Sequence, residues 1–231
     1  MNLLRNMVYC ILLAALLVSS LADGATLQVS SDLQSAIDAA SSGDTLEVAS
    51  GLYDKITVEK SLTLMGNGAV IRAGGRDACV AISADNVTIS GFLVEKGFYG
   101  IKLDHVRGCK ISNNTVIHSA QPGIALLYSD GNIISGNNAS FNGIVGEGWY
   151  GIYLSNSNHN LITDNEANGN GAYGINLFPS CCNNTITGNR LQGNMYGLYM
   201  FRDCEGNVIQ NNDMSENTNS GLDLRFNCTG N

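Results

Sequence analysis

The side chains best suited to acid–base chemistry cluster at Lys102, Asp104 and His105. A carboxylate beside an imidazole can hold and pass a proton when both face one substrate atom. Glycoside hydrolysis asks for more, a pair of carboxylates flanking the bond to be broken. Asp203, next to Arg202, is a second acidic corner far along the chain. Asp104 and His105 are therefore the catalytic candidates, but they do not make a complete constellation. A different chemistry is offered by Cys181, Cys182, Cys204 and Cys228, which suit a disulfide or a soft metal. A third is offered by Trp149, Tyr153, Tyr199 and Glu147: aromatic rings and a carboxylate suited to a sugar.

What positions these groups is a repeat. Gly, then Ile or Leu, any residue, then Leu or Met begins at Gly100, Gly123, Gly151, Gly174, Gly197 and Gly221, at spacings of 23, 28, 23, 23 and 24. A second column, Ile111, Ile134, Ile162, Ile186 and Ile209, carries an Asn three residues later, at Asn114, Asn137, Asn165, Asn189 and Asn212. Within each repeat the apolar residues alternate, the period of a strand. Turn-forming Asn, Gly and Ser separate the short strands. The leucine spacing of a leucine-rich repeat is absent. The pattern predicts an all-β protein, a right-handed parallel β-helix of about 22–24 residues per coil. Roughly nine coils at the strand spacing make a rod about 40 Å long. Stacked Ile forms the core, and the Asn column forms a structural amide ladder. Ahead of the coils, Ser31 to Ala40 reads as a short N-terminal capping helix, with Ser31 or Asp32 as its N-cap and Gly43 past its end.

In this frame the candidates acquire places. Cys181, Cys204 and Cys228 each follow a repeat Gly by seven residues, so they stack on consecutive coils within disulfide reach. The expected bridge is Cys181–Cys204, with Cys182 or Cys228 left for another pairing; a two- or three-thiolate metal site is the alternative. The long spacing between Gly123 and Gly151 marks an insertion that holds Glu147 and Trp149. Tyr150, Tyr173 and Tyr196 precede their glycines and are expected beside the core, while Tyr153 and Tyr199 should face outward in a column with Lys102, Asn176 and Asp223.

Composition narrows the function. The net charge is −8 and there are 28 Asn, 24 of them from Asn113 onward. No basic patch is present, which excludes a nucleic-acid partner. Arg5 and the apolar run Met7 to Val18 before Ala22 read as a secretory signal peptide over 1–22, leaving a single domain over 23–231. An uncleaved N-terminal anchor is the alternative. Five sequons, at Asn86, Asn113, Asn138, Asn183 and Asn227, carry meaning only in a host that glycosylates exported proteins. The chain stops within a coil, so an uncapped C-terminal edge is expected to favour end-to-end self-association.

The segment Leu33 to Ala40, then Gly43-Asp44-Thr45-Leu46, Gly51-Leu52-Tyr53 and Lys60 to Gly66, resembles the start of pectin-lyase-like β-helix proteins. With the later Gly-Ile-x-Leu and Asn repeats, the chain from about Leu27 to Asn231 is similar to the NosD-type group of exported proteins. The resemblance implies the fold more than the activity, since one scaffold hosts many functions. The Asp-Pro-His-Glu motif of the epimerases on this fold is missing, as are the Asn-Thr-Asp and Gly-His-Gly signatures of its polygalacturonases. No His-x-His, Met-rich or Cys-x-x-Cys pattern supports copper, and His105, His118 and His159 occupy different phases. The expectation is a secreted, cell-surface or periplasmic, non-catalytic protein that binds a polysaccharide or cell-surface glycan or serves the envelope. The alternatives are a polysaccharide lyase or uronan epimerase using Asp104 and His105, and a NosD-like accessory to copper- or metal-enzyme maturation. No metal site is expected, and Ca²⁺ is the one cofactor left open.

Overall fold

The computed structural model describes residues 24–143 and 149–231. The expected signal peptide and Glu147 lie outside the described residues. The chain winds as a three-sided parallel β-solenoid. Nine strands, from Thr26–Val29 to Val208–Gln210, form one sheet; eight, from Ile56–Val58 to Ser220–Arg225, form the second. Four strands from Gly51–Tyr53 to Thr115–Ile117 form the third, which single parallel bridges extend from Thr115 through Asn138, Glu166 and Arg190 to Asp213.

Alternation and register explain the core. Leu46, Leu64, Ile89, Ile111, Ile134, Ile162, Ile186 and Ile209 stand directly above one another in the nine-stranded sheet. Ile101, Ile124, Ile152, Ile175, Leu198 and Leu222 do the same in the eight-stranded sheet. All of these are buried except at the C-terminal end, where Ile209 is half-buried and Leu222, with its neighbour Leu224, is more than a third exposed. Each buried Ile or Leu contributes about 1.5–3 kcal/mol, so identical side chains in register give a long dry core from a thin rod.

The helix is Leu33–Ala39, shorter than the expected span. Asp32 is its N-cap and accepts from the Ser35 amide at 3.1 Å. Leu33 and Ile37 are buried against the first coils. Lys60 closes the other end, its Nζ donating to the carbonyls of Ile37, Asp38 and Ala40 at 2.7–3.1 Å. A cation on the last carbonyls satisfies groups that the helix leaves open.

The corners are held by three amide ladders. In the first, each of Asn114, Asn137, Asn165 and Asn189 donates both its backbone N–H and its side-chain Nδ2 to the Oδ1 of the Asn on the next coil, at 2.9–3.1 Å. Asn132, Asn160, Asn184, Asn207 and Asn231 form a second ladder of the same kind. In a third, the backbone N–H groups of Asn142, Asn170 and Asn194 donate to the Oδ1 of Asn170, Asn194 and Asn217. A buried amide can stand in for the sheet at a corner because it offers both a donor and an acceptor to otherwise orphaned backbone.

Candidate functional site

Most candidate side chains emerge on the outer face of the eight-stranded sheet. One outward column runs Lys102, Ala125, Tyr153, Asn176, Tyr199, Asp223 in direct register. Tyr150, Tyr173 and Tyr196 form a second column. The alternation argument places this second column beside the core, but all three rings are half-buried and meet the first column. Tyr150 stacks on Tyr153 with centroids 4.8 Å apart, and Tyr173 lies 4.9 Å from Tyr199. The cause is the glycine after each Tyr. A Cβ at Gly174 would stand 2.7 Å from the carbonyl oxygen of Gly197 on the next coil. The bare Cα lets the coils close up, and strict alternation breaks there.

Along the rod, Tyr150 and Tyr173, then Tyr173 and Tyr196, repeat at 5.3 Å, near the strand spacing. Rings piled in this way turn their edges, rather than their faces, to solvent. Phe178 and Phe201 make a third column, 5.4 Å apart, with Arg202 over both rings at 6.0 and 5.3 Å. Arg225 lies 5.7 Å over Tyr199 and is tied to Asp223 at 2.7 Å. Burial, reinforced by Tyr153 and Tyr173, pushes the Tyr150 hydroxyl up to about 12. It therefore stays a neutral hydrogen-bond donor across the physiological range. Trp149 packs edge-on against Tyr150 at 5.9 Å, on the flank of this cluster.

Toward the N-terminal end of the same face sit the acid–base candidates. Asp104 is bracketed by Lys102 Nζ and His105 Nδ1, each at 2.7 Å. His105 also stacks on Tyr128 at 4.8 Å. Burial of Asp104 opposes ionisation, yet hydrogen bonds from Lys102 and His105 outweigh it and hold the carboxyl below its ordinary range. Asp104 is thus an orienting carboxylate rather than a proton donor. Its ion-pair and hydrogen-bond partners include no second carboxylate.

The four cysteines take a different edge. All six cysteines among the described residues are free thiols. The expected Cys181–Cys204 bridge is not present among the described residues; both thiols are buried, Cys181 Sγ donating to Pro179 O at 3.3 Å and Cys204 Sγ to Leu177 O at 3.6 Å. The neighbouring Cys204 thiol, with burial second, raises Cys181, while the Cys181 thiol lowers Cys204, the more acidic of the pair. Cys182 Sγ lies near the Asp203 carbonyl, and Cys228 is half-buried.

The comparisons fix the lineage. A family described as "Periplasmic copper-binding protein (NosD)" matches residues 37–224. The chain belongs to the NosD family. A cell surface glycoprotein of Methanothermus fervidus is 43% identical over 89 residues, covering 36% of this chain and 15% of that protein. The chain thus spans a small part of that relative's length. Among solved structures, a mutant of a periplasmic alginate epimerase superposes with a TM-score of 0.65 at 16% identity, covering 87% of this chain and 54% of that one. A family 28 exopolygalacturonase of Yersinia enterocolitica gives 0.61 at 13% identity, over 81% and 53% of the two chains. Likeness at this identity shows the parallel β-helix fold and nothing of activity.

Copper, which the family's description carries, can be tested against the side chains. Among the described residues no three His, Cys, Asp or Glu converge on a point that a metal could occupy. His105, His118 and His159 each sit at a separate left-handed corner, with φ of 56–57°. The described residues of this chain do not assemble a copper site.

Some of this was within reach of the sequence and missed. Asn132, Asn160, Asn184, Asn207 and Asn231 hold the same repeat spacing as the recognised ladder. The Phe178–Phe201 column shows the step of 23 as well. The convergence of the two Tyr columns has no such signal, because it depends on a break in alternation.

Proposed function

We propose that this NosD-family protein works outside the cytoplasm, at the cell surface or in the periplasm, and binds carbohydrate on the outer face of its eight-stranded sheet. The observation that carries the reading is the convergence of Tyr150, Tyr153, Tyr173, Tyr199, Phe178 and Phe201 on one face. Apolar ring carbon beside neutral phenol hydroxyls is the surface chemistry that a saccharide, with its C–H and O–H groups, complements. The family's description and the surface-glycoprotein relative support the location.

A second reading rests on the contact of Lys102, Asp104 and His105, which lies about two strand spacings from Tyr153 on the same face. In that reading His105, oriented by Asp104, removes or returns a proton on a uronate, as in a lyase or epimerase.

One experiment separates them. Proton NMR spectra of neutral and uronate polysaccharides are recorded before and after incubation with the mature chain, with and without Ca²⁺. Selective line broadening without new signals is expected for binding. New anomeric or unsaturated-uronide signals would instead establish the catalytic reading. Spectra unchanged for every glycan would sink both.

A further inference from the structure

The aromatic face has a notch. In the outward column Tyr153–Asn176–Tyr199, a small amide stands where the coils before and after carry a ring. The gap is a shallow, open pocket of about 170 Å³ lined by Tyr150, Tyr173, Asn176, Phe178, Tyr199 and Phe201. Asn176 is only 3% exposed, and its Oδ1 has no hydrogen-bond partner. In the ladders each Oδ1 accepts from the preceding coil, so Asn176 carries the one buried amide oxygen among the described residues that has no partner, while the unpaired amide of Asn170 is a donor, Nδ2.

We infer that this notch is a socket for one neutral pyranose residue, inserted end-on from the terminus or a branch of a glycan. The inference rests on the carbohydrate-binding reading and names its subsite. Asn176 Oδ1 is itself occluded in the free protein, so on binding the amide turns toward the notch, where a sugar hydroxyl donates to it and C–H groups of the pyranose contact the surrounding rings. A hydroxyl suits this position because it supplies the missing donor. A carboxylate would bring only acceptors against Oδ1.

The charges nearby agree. None of the lining side chains is ionic. Arg225 is committed to Asp223, and the Arg202 guanidinium lies over Phe178 and Phe201. No lining side chain would repay the desolvation of a uronate, and Arg202, over Phe178 and Phe201, is the one cation at the notch without a carboxylate partner among the described residues. The end-on orientation follows from the walls. Tyr153 and Tyr199 stand on the coils either side of Asn176, about 10 Å apart by strand spacing; Tyr199 lines the notch, and Tyr153, stacked on Tyr150 and bonded through its hydroxyl to Phe178 O at 3.0 Å, stands just behind its other end. An internal residue of a chain lying along the sheet would have to pass through those rings.

The test uses the full mature chain with saturation-transfer NMR on methyl glycosides of neutral hexopyranoses and of uronic acids, beside an intact polysaccharide. Asn176→Tyr fills the notch and completes the Tyr column, so it is expected to keep the melting temperature while weakening monosaccharide binding at least tenfold. Asn176→Ala keeps the space but removes the acceptor, and a loss of about tenfold is expected, the value of one hydrogen bond. Should Asn176→Tyr fail to fold, the alanine variant carries the test. Neutral glycosides binding to wild type and lost in both variants would support the socket. Wild-type affinity in either variant, or equal saturation of uronates, overturns it. Polysaccharide binding unaffected by both variants overturns the socket while leaving carbohydrate binding intact. Absence of all glycan binding in wild type removes both.

Discussion

The amide ladders make a sharp demand on Asn165, in the middle of the first one. Its Oδ1 accepts the backbone N–H of Asn137 at 2.9 Å, the only partner that N–H has. Its Nδ2 donates to Ile134 O, Thr163 O and Asn189 Oδ1 at 2.9–3.0 Å, and the residue is 1% exposed. In Asn165→Ala the Asn137 N–H is left buried and unpaired, at about 1–3 kcal/mol. The lost Nδ2 bonds add about 1 kcal/mol. The expected cost is about 2–4 kcal/mol, a large share of the roughly 5–15 kcal/mol that holds a domain together. Asn165→Asp keeps the acceptor, but at neutral pH it aims a buried charge at Ile134 O and Asn189 Oδ1. It should cost more than alanine, about 3–5 kcal/mol. Urea unfolding followed by circular dichroism at pH 7 measures both. The reasoning would be refuted by an alanine cost below about 1 kcal/mol, or by an aspartate variant as stable as the alanine one.

Two further outcomes are expected. Mild oxidation should join Cys181 to Cys204, seen as the loss of two hydrogens in the intact mass and of both thiols from peptide mapping. Closing that loop should stabilise by about 3 kcal/mol, and Cys204→Ser should abolish both effects. Asp104→Asn tests the ion cluster through pH. The folded carboxyl is depressed, so its stabilisation is present above the unfolded value near 3.9 and is lost as pH falls through the folded one. With Lys102 and Asp104 side chains 29% and 36% exposed, solvent screening keeps the cost of the variant under about 1 kcal/mol at pH 7. Thermal unfolding should show that gap close as pH drops below 3.9; a gap constant with pH would mean that Asp104 acts by packing alone.

Much of the fold was legible because a solenoid writes its tertiary contacts as a period. Ile111, Ile134 and Ile162 recur at the coil length because they stack, and the strand register follows that column residue for residue. The column Lys102–Tyr153–Asn176–Tyr199–Asp223 was readable for the same reason. So was the proximity of Asp104 to His105, which chain adjacency imposes.

What the sequence could not decide was geometry across the period. Tyr150 and Tyr153 lie on opposite faces by strict alternation, yet their rings stack because Gly151 lets the backbone turn against the next coil. Cys181 and Cys204 were placed in reach by spacing, but only the packing shows both thiols buried and turned to backbone carbonyls. Asn176 reads in the sequence as one more asparagine among 28. Its difference lies in having rings on every side and no amide above or below, and only the folded coils establish which neighbours a side chain has. The sequence by itself determined the column in which each residue stands, since the repeat length does that. The tertiary structure alone decided which columns meet, because that depends on how closely the coils pack at each corner.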